Sequence, residues 1–372
     1  MRALFPTALA YFLILTAAVQ AGAQEATVKY GAGFAIEQRQ GYKVLTVKSP
    51  WPGSSSGFTY VLYRRGQPRP SSLKADGFFE TPIRKVITFS TTYIPPIVAL
   101  GEADSIVGVD SGGYVNSPEV RTRIAQGKTL ETTKNWAPNL ELMISLTPDA
   151  VFTYGMGNQW DTHPKMAEAG LPVVICGDWN ESDPLARAEW IEFFAAFYDK
   201  EDRAIAYFNR TAKEYERLRV LATSAKSRPA VLVNGPFQGT WTVSGGKSYM
   251  ARLIADSGGA YLWAEDTSTG GLSLSIEAVY QRALKAEVWL NPALSVNSEA
   301  DVLALDSRFA SLPVVASGSV WNDNLRMSPG GGNDSFESAA LRPDLVLADL
   351  VKIFHPELAA DLAFTYYKKI KR

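Results

Sequence analysis

Residues 183–225, DPLARAEWIEFFAAFYDKEDRAIAYFNRTAKEYERLRVLATSA, contain no glycine, and their one proline, Pro184, stands where a first helical turn accepts it. Apolar residues recur at Trp190, Phe193, Phe194, Phe197, Ile205, Phe208, Tyr215 and Leu218, which is the spacing of one helix face. The Tyr198-Asp199-Lys200-Glu201 stretch marks a point where the helix divides in two. Roughly 40 residues at ~1.5 Å each make ~60 Å of helix, longer than one small domain needs. The stretch reads as a long helix, residues 183–226, joining a domain over 24–182 to a second over 227–372.

On both sides of it, strands alternate with helices. Before it, Lys85–Phe89, Ser105–Val109, Ala150–Tyr154 and Val173–Ile175 read as strands. They are separated by helices over Tyr93–Leu100, Asn139–Leu146 (capped by Asn139) and His163–Ala169 (closed by Gly170). After it, strands at Ala230–Val233, Val288–Leu290 and Ser319–Trp321 alternate with helices at Ser248–Asp256, Ile276–Leu284, from Val302, and at Leu341–Ile353. Such alternation builds parallel sheets covered on both faces. Ahead of the first lobe, Tyr42–Val47 and Phe58–Tyr63 alternate in polarity across a Pro/Gly/Ser turn and predict a β-hairpin. The expected fold class is therefore α/β: two Rossmann-like lobes with mainly parallel sheets, a long spanning α-helix between them, and an N-terminal β-hairpin extension.

Arg2, the apolar run Leu9–Val19 and the small residues Ala21-Gly22-Ala23 form a signal-peptide pattern over 1–23. The run is short for a membrane span. With no Cys near the cleavage point, the expectation is an unlipidated, monomeric periplasmic protein beginning at Gln24. The single Cys176, in LPVVICGD, reads as a buried strand thiol. A net charge of -1 gives no general affinity for nucleic acid. Two His, His163 and His355, are too few for a site built on several imidazoles, whereas nine Trp, sixteen Tyr and seventeen Phe offer much flat contact surface.

Ordered segments carry a family resemblance. Lys85-Val86-Ile87-Thr88-Phe89-Ser90-Thr91-Thr92, with Ala99-Leu100-Gly101 and Ile106-Val107-Gly108-Val109, is similar to an opening strand-helix-strand. Asn139-Leu140-Glu141 with Leu146-Thr147-Pro148-Asp149-Ala150-Val151 resembles an "NLE…LxPDLV" segment, and Ala169-Gly170-Leu171-Pro172-Val173-Val174 an "AGIPVV" segment. Leu253-Ile254-Ala255-Asp256-Ser257-Gly258-Gly259 resembles an "LL…aGG" helix end. Over residues 84–360 the chain resembles the substrate-binding proteins of ABC importers for iron complexes, haem and vitamin B12, with their helical backbone between two lobes. The departures are the β-rich start and an insert at Asn322–Arg342. The resemblance implies a non-enzymatic binder without a cofactor, delivering a metal chelate to an ABC permease of the inner membrane. It also implies one acid on each lobe that meets the permease, at Glu141 and Asp256.

Ligands of open α/β sheets bind at loops beyond the carboxyl ends of the strands. Those loops start at Ser90, Asp110, Tyr154, Gly177, Asn234, Asn291 and Trp321. They carry Thr91, Tyr93, Tyr114, Tyr154, Trp160, Trp179, Phe237, Trp241, Trp321 and Phe336, an aromatic-rich set suited to a planar or semi-apolar ligand. Met156 offers a soft contact, and Arg326 a fork of donors for a propionate, phosphate or carboxylate. The Gly330-Gly331-Gly332 run lacks both the Gly-Lys-Ser/Thr ending and the preceding strand of a nucleotide loop. Asp334 and Glu337 beside it could instead hold a hard cation, which keeps a free-metal binder using Tyr, Asp and Glu as an alternative. An exported hydrolase is a remote third reading, because no Gly-x-Ser-x-Gly elbow occurs and neither His has a strand-end Ser nearby in the sequence.

Overall fold

The computed structural model describes residues 24–25, 28–70, 73–135 and 137–372. The expected signal segment 1–23 lies outside them.

The first lobe holds a parallel sheet in the order Val173–Ile175, Ala150–Thr153, Val86–Thr88, Ile106–Val109, Leu130–Glu131. The second holds Ala260–Tyr261, Ala230–Val233, Val288–Leu290 and Val320–Asn322 in parallel, with Lys368–Lys369 antiparallel at one edge. Val, Ile and Leu dominate both, and Ala150–Thr153 and Val288–Leu290 are buried throughout, as strands covered on both faces must be. The mixed α/β class with parallel sheets is thus as expected from the alternation.

The hairpin is present in register, from Tyr42 opposite Tyr63 to Val47 opposite Phe58, but it is not free-standing. It is the centre of a five-stranded sheet that also contains Gln24–Glu25, Phe34–Arg39 and Gly77–Thr81. An isolated hairpin would be marginal in water. Here Phe34, Ile36, Leu45, Tyr60, Leu62 and Phe79 turn inward and join the main core.

The long glycine-free stretch forms three helices, Pro184–Glu189, Ile191–Tyr198 and Glu201–Ala222. The expected division at 198–201 is there, with Asp199 in the left-handed region at φ 54. A second break falls at Trp190, so no 60 Å helix exists. Every residue of Ile191–Tyr198 is buried. Its phenylalanines pack edge-on inside the first lobe: Phe194 on Phe152 (centroids 5.0 Å apart) and Phe197 on Phe79 (5.4 Å). Only the 22-residue Glu201–Ala222, about 33 Å long, acts as the spanning element, packing against Pro343–Phe354. Lys43 fixes the joint, donating to Ala196 O (3.0 Å) and Asp199 (2.7 Å) and pairing with Glu201.

One continuous hydrophobic core runs from Phe34 through both lobes to Ile370. An antiparallel sheet over Pro236–Phe237, Thr240–Ser244 and Gly271–Ser275 flanks the second lobe, where residues 234–241 read from the sequence as a loop. No helix among the described residues is long and apolar enough to cross a membrane.

Candidate functional site

The carboxyl ends of both parallel sheets open into one cleft of about 470 Å³. Three neighbouring strands of the second lobe each end on an asparagine there: Asn234, Asn291 and Asn322. Asn234 and Asn291 take the left-handed conformation, at φ 60 and 55, which asparagine tolerates better than most residues. Each side chain is tied down locally. Asn234 Nδ2 donates to Thr242 O (2.9 Å), Asn291 Nδ2 to the Tyr367 hydroxyl (3.2 Å), and Asn322 Nδ2 to Ala293 O and Val296 O (both 2.7 Å). Asn291 Oδ1 is buried with no hydrogen-bond partner among the described residues.

Facing them, the first lobe contributes Ser90, Thr91 and Thr92, where Ser90 caps the short turn Thr91–Tyr93 that leads into Ile94–Ala99. The charged groups are Arg187 and Asp323. Arg187, from Pro184–Glu189, lies 5.5 Å over the Tyr249 ring, and its Nε is 3.6 Å from Asp178 Oδ2, close enough for charge but not for a hydrogen bond. Burial holds the Asp178 carboxyl above the usual range, and Arg187 pulls it part of the way back. Asp323 is likewise raised by burial and accepts from Asn333 Nδ2 (3.1 Å) and Ser335 Oγ (2.8 Å).

Of the residues singled out in the sequence, Thr91 and Phe336 line this cleft. Tyr114, Tyr154, Met156 and Trp160 are exposed in the segments after strand ends, Trp160 at 79%, and Phe237 is exposed on the strand Pro236–Phe237. Trp179 is half-buried, and its indole N–H finds no acceptor among the described residues. Four expectations are corrected. Tyr93 is buried against Phe194, because it sits at the start of Ile94–Ala99 and faces the core. Trp241 is wholly buried, because it shares the inner face of Thr240–Ser244 with Val243. Trp321 packs on Phe364 (5.1 Å), while the adjacent Asn322 lines the cleft. Arg326 pairs with Asp334 (2.9 Å) and borders a separate opening of about 260 Å³.

Glu141 is exposed in the first turn of Leu140–Ser145. Asp256 is engaged by the Tyr215 hydroxyl and by Arg252, both at 2.8 Å, so a docking role would have to break that pair. Among the described residues no group of three or more His, Cys, Asp or Glu is placed to hold a metal ion. Asp334 and Glu337 are both buried and turn to separate partners: Asp334 to Arg326, Glu337 to backbone N–H groups of the other lobe. Burial outweighs those donors and pushes Glu337 up to about 7. His163 is held below its ordinary value by burial beside Trp51. Cys176 is buried, as expected.

Arg187, Asp323, Tyr249 and the three asparagines were not singled out, although the asparagines leave a repeated mark: Val231-Leu232-Val233-Asn234, Val288-Trp289-Leu290-Asn291 and Val320-Trp321-Asn322.

Residues 86–323 match the sequence model of the family described as periplasmic binding protein. The chain belongs to the periplasmic binding protein family. A periplasmic haem-binding protein from Pseudomonas aeruginosa superposes with a TM-score of 0.59 at 18% identity, covering 78% of this chain and 99% of that one, and so shares the fold. Two uncharacterized lipoproteins of Methanocaldococcus jannaschii are similar in sequence. One is 27% identical over 82% of this chain and 74% of its own length. The other is 24% identical over 85% and 81%. These relatives overturn the expectation of an unlipidated periplasmic protein: both are named lipoproteins, so the lack of a Cys near residue 23 does not decide the compartment. The family is one of solute-binding proteins rather than enzymes.

Proposed function

We propose that this periplasmic binding protein is the substrate-binding component of an ABC importer, capturing a metal chelate (a ferric siderophore, haem or a corrinoid) between its lobes and passing it to the permease. The observation that carries the reading is the cleft at the carboxyl ends of both sheets, with Phe336 in its wall, while Tyr114, Tyr154, Met156 and Trp160 are exposed after the neighbouring strands Ile106–Val109 and Ala150–Thr153, and Phe237 on the short strand after Asn234. Large apolar side chains held in water at one end of two lobes gain when a broad, partly apolar ligand covers them. Arg187, the hydroxyls of Ser90–Thr92 and the asparagine amides supply the few polar contacts that orient such a ligand. That a haem-binding protein shares the fold agrees with this class of cargo.

Titration of the purified protein with haemin, cyanocobalamin and a panel of ferric siderophores, followed by tryptophan fluorescence with inner-filter correction, tests the proposal. Saturable quenching by one chelate at micromolar concentration or below is expected. A response to bare metal ions alone, or to nothing in the panel, would refute chelate capture.

A further inference from the structure

The triplet Gly330-Gly331-Gly332 lies against the backbone of the opposite lobe. Ser328 N donates to Gly332 O (2.7 Å) and Gly331 N to Ser328 O (3.0 Å), closing a tight turn with Gly331 at φ 89. The turn presses on Gly112–Tyr114 of the first lobe. A Cβ on Gly330 would stand 2.4 Å from Gly113 O, and one on Gly332 would stand 2.0 Å from Tyr114 O. Only glycine allows the two main chains to meet this closely. Ser328 Oγ donates to Gly113 O (2.6 Å), and Asn116 Nδ2 to Gly332 O (3.2 Å).

Just beyond the turn, Glu337 completes the junction. Its Oε2 accepts from Asn116 N (2.6 Å) and its Oε1 from Ser117 N (2.8 Å). These amides precede Pro118–Ala125, so the carboxylate sits at the positive end of that helix. The same segment also borders the cargo space: Ser335 and Phe336 line the cleft, and cleft-lining Asp323 holds Asn333 and Ser335 in place.

From these contacts we infer that residues 328–337 are a latch between the lobes, which holds them together at one edge of the cleft and must part for the lobes to separate. The inference rests on the contacts of this segment and not on which cargo is carried.

Interlobe distance measures it directly. Nitroxides are placed on the full chain at Lys128→Cys in the first lobe and Ser307→Cys in the second, both exposed positions. Buried Cys176, its thiol pushed well up by desolvation, is shielded from the label. In cargo-free protein, pulsed electron double resonance should give one narrow distance distribution. Glu337→Ala and Gly332→Ala should each shift it to longer, broader distances. Ser328→Ala, which adds no bulk, should shift it less in the same direction. Far-UV circular dichroism and a thermal melt establish that each variant is folded. If Gly332→Ala does not fold, the other two decide. Distributions for folded Glu337→Ala and Ser328→Ala that superimpose on the parent would overturn the latch.

Discussion

Trp241 stacks on Trp289 with ring centroids 5.5 Å apart and planes 27° apart, and Phe309 closes the third side at 5.5 Å from Trp241. The Trp241 indole N–H donates to Val233 O (3.2 Å), so the ring also braces the strand that ends in Asn234. Trp241 therefore works in the core of the second lobe and not at the ligand surface. Trp241→Ala is expected to destabilise the protein by about 3–5 kcal/mol, the range for emptying a large buried aromatic site. A fall in melting temperature checks this, together with near-normal chelate affinity in the fraction that remains folded. Weakened binding at unchanged stability would return Trp241 to the cleft.

Arg187 carries the opposite expectation. Its Nε has no hydrogen-bond partner among the described residues, and its guanidinium lies over Tyr249 in the cleft wall. Arg187→Lys keeps a charge but loses the planar fork and the stacking. Affinity for an anionic chelate should fall about tenfold, equivalent to ~1.4 kcal/mol, while the melting temperature changes little. Isothermal titration of both proteins with the chelate identified by fluorescence reads the difference.

The strand-helix alternation gave both parallel sheets, because buried strands there are short runs of Val, Ile and Leu bounded by turn residues. The periodicity of 183–225 revealed helix but not its environment: Phe193, Phe194 and Phe197 look alike whether they face a partner domain or the core of their own lobe. Trp241 was legible and misread. In Thr240–Ser244, period-two alternation puts Trp241 and Val243 on one face, the pattern of a half-buried strand rather than a binding loop. The exposed aromatics of the strand-end loops followed from topology alone. Arg187 did not, since its place in the cleft wall over Tyr249 is a contact between residues 62 positions apart that no local pattern reveals.

Glu189 anchors the segment that leads into Phe34–Arg39 of the N-terminal sheet. Its carboxylate accepts from the backbone N–H groups of Lys29, Tyr30 and Gly31, each at 2.7 Å, and it is itself almost wholly buried. Removing the acceptor leaves three donors to find water or stay unpaired. Glu189→Ala should cost about 2–3 kcal/mol, the order expected for loss of charged hydrogen bonds. The loss should be local at first: amide exchange at residues 29–31 should accelerate well before exchange in Ala150–Thr153. Equal acceleration in both segments would show that Glu189 supports the whole lobe.

One turn along, Glu192 sets a pH dependence. Burial, and secondarily the neighbouring Glu189, pushes its carboxyl up to about 7 from an ordinary 4.5. The folded state therefore holds this proton more tightly than the unfolded chain does. The stability that comes with it is fully present below about pH 4.5 and is lost as the pH rises through about 7. At pH 8 the native protein must keep an ionised carboxylate in a largely buried position beside Glu189. Glu192→Gln removes that requirement, so its melting temperature should exceed the parent's by a few degrees at pH 8, corresponding to about 1–2 kcal/mol after allowance for solvent screening. The advantage should shrink toward zero near pH 5, where the parent carboxyl is already protonated. Melts of both proteins across pH 5–8 test the sign: an advantage that grows toward pH 5 would mean that Glu192 is stabilised as the anion, by contacts stronger than the cost of burying it.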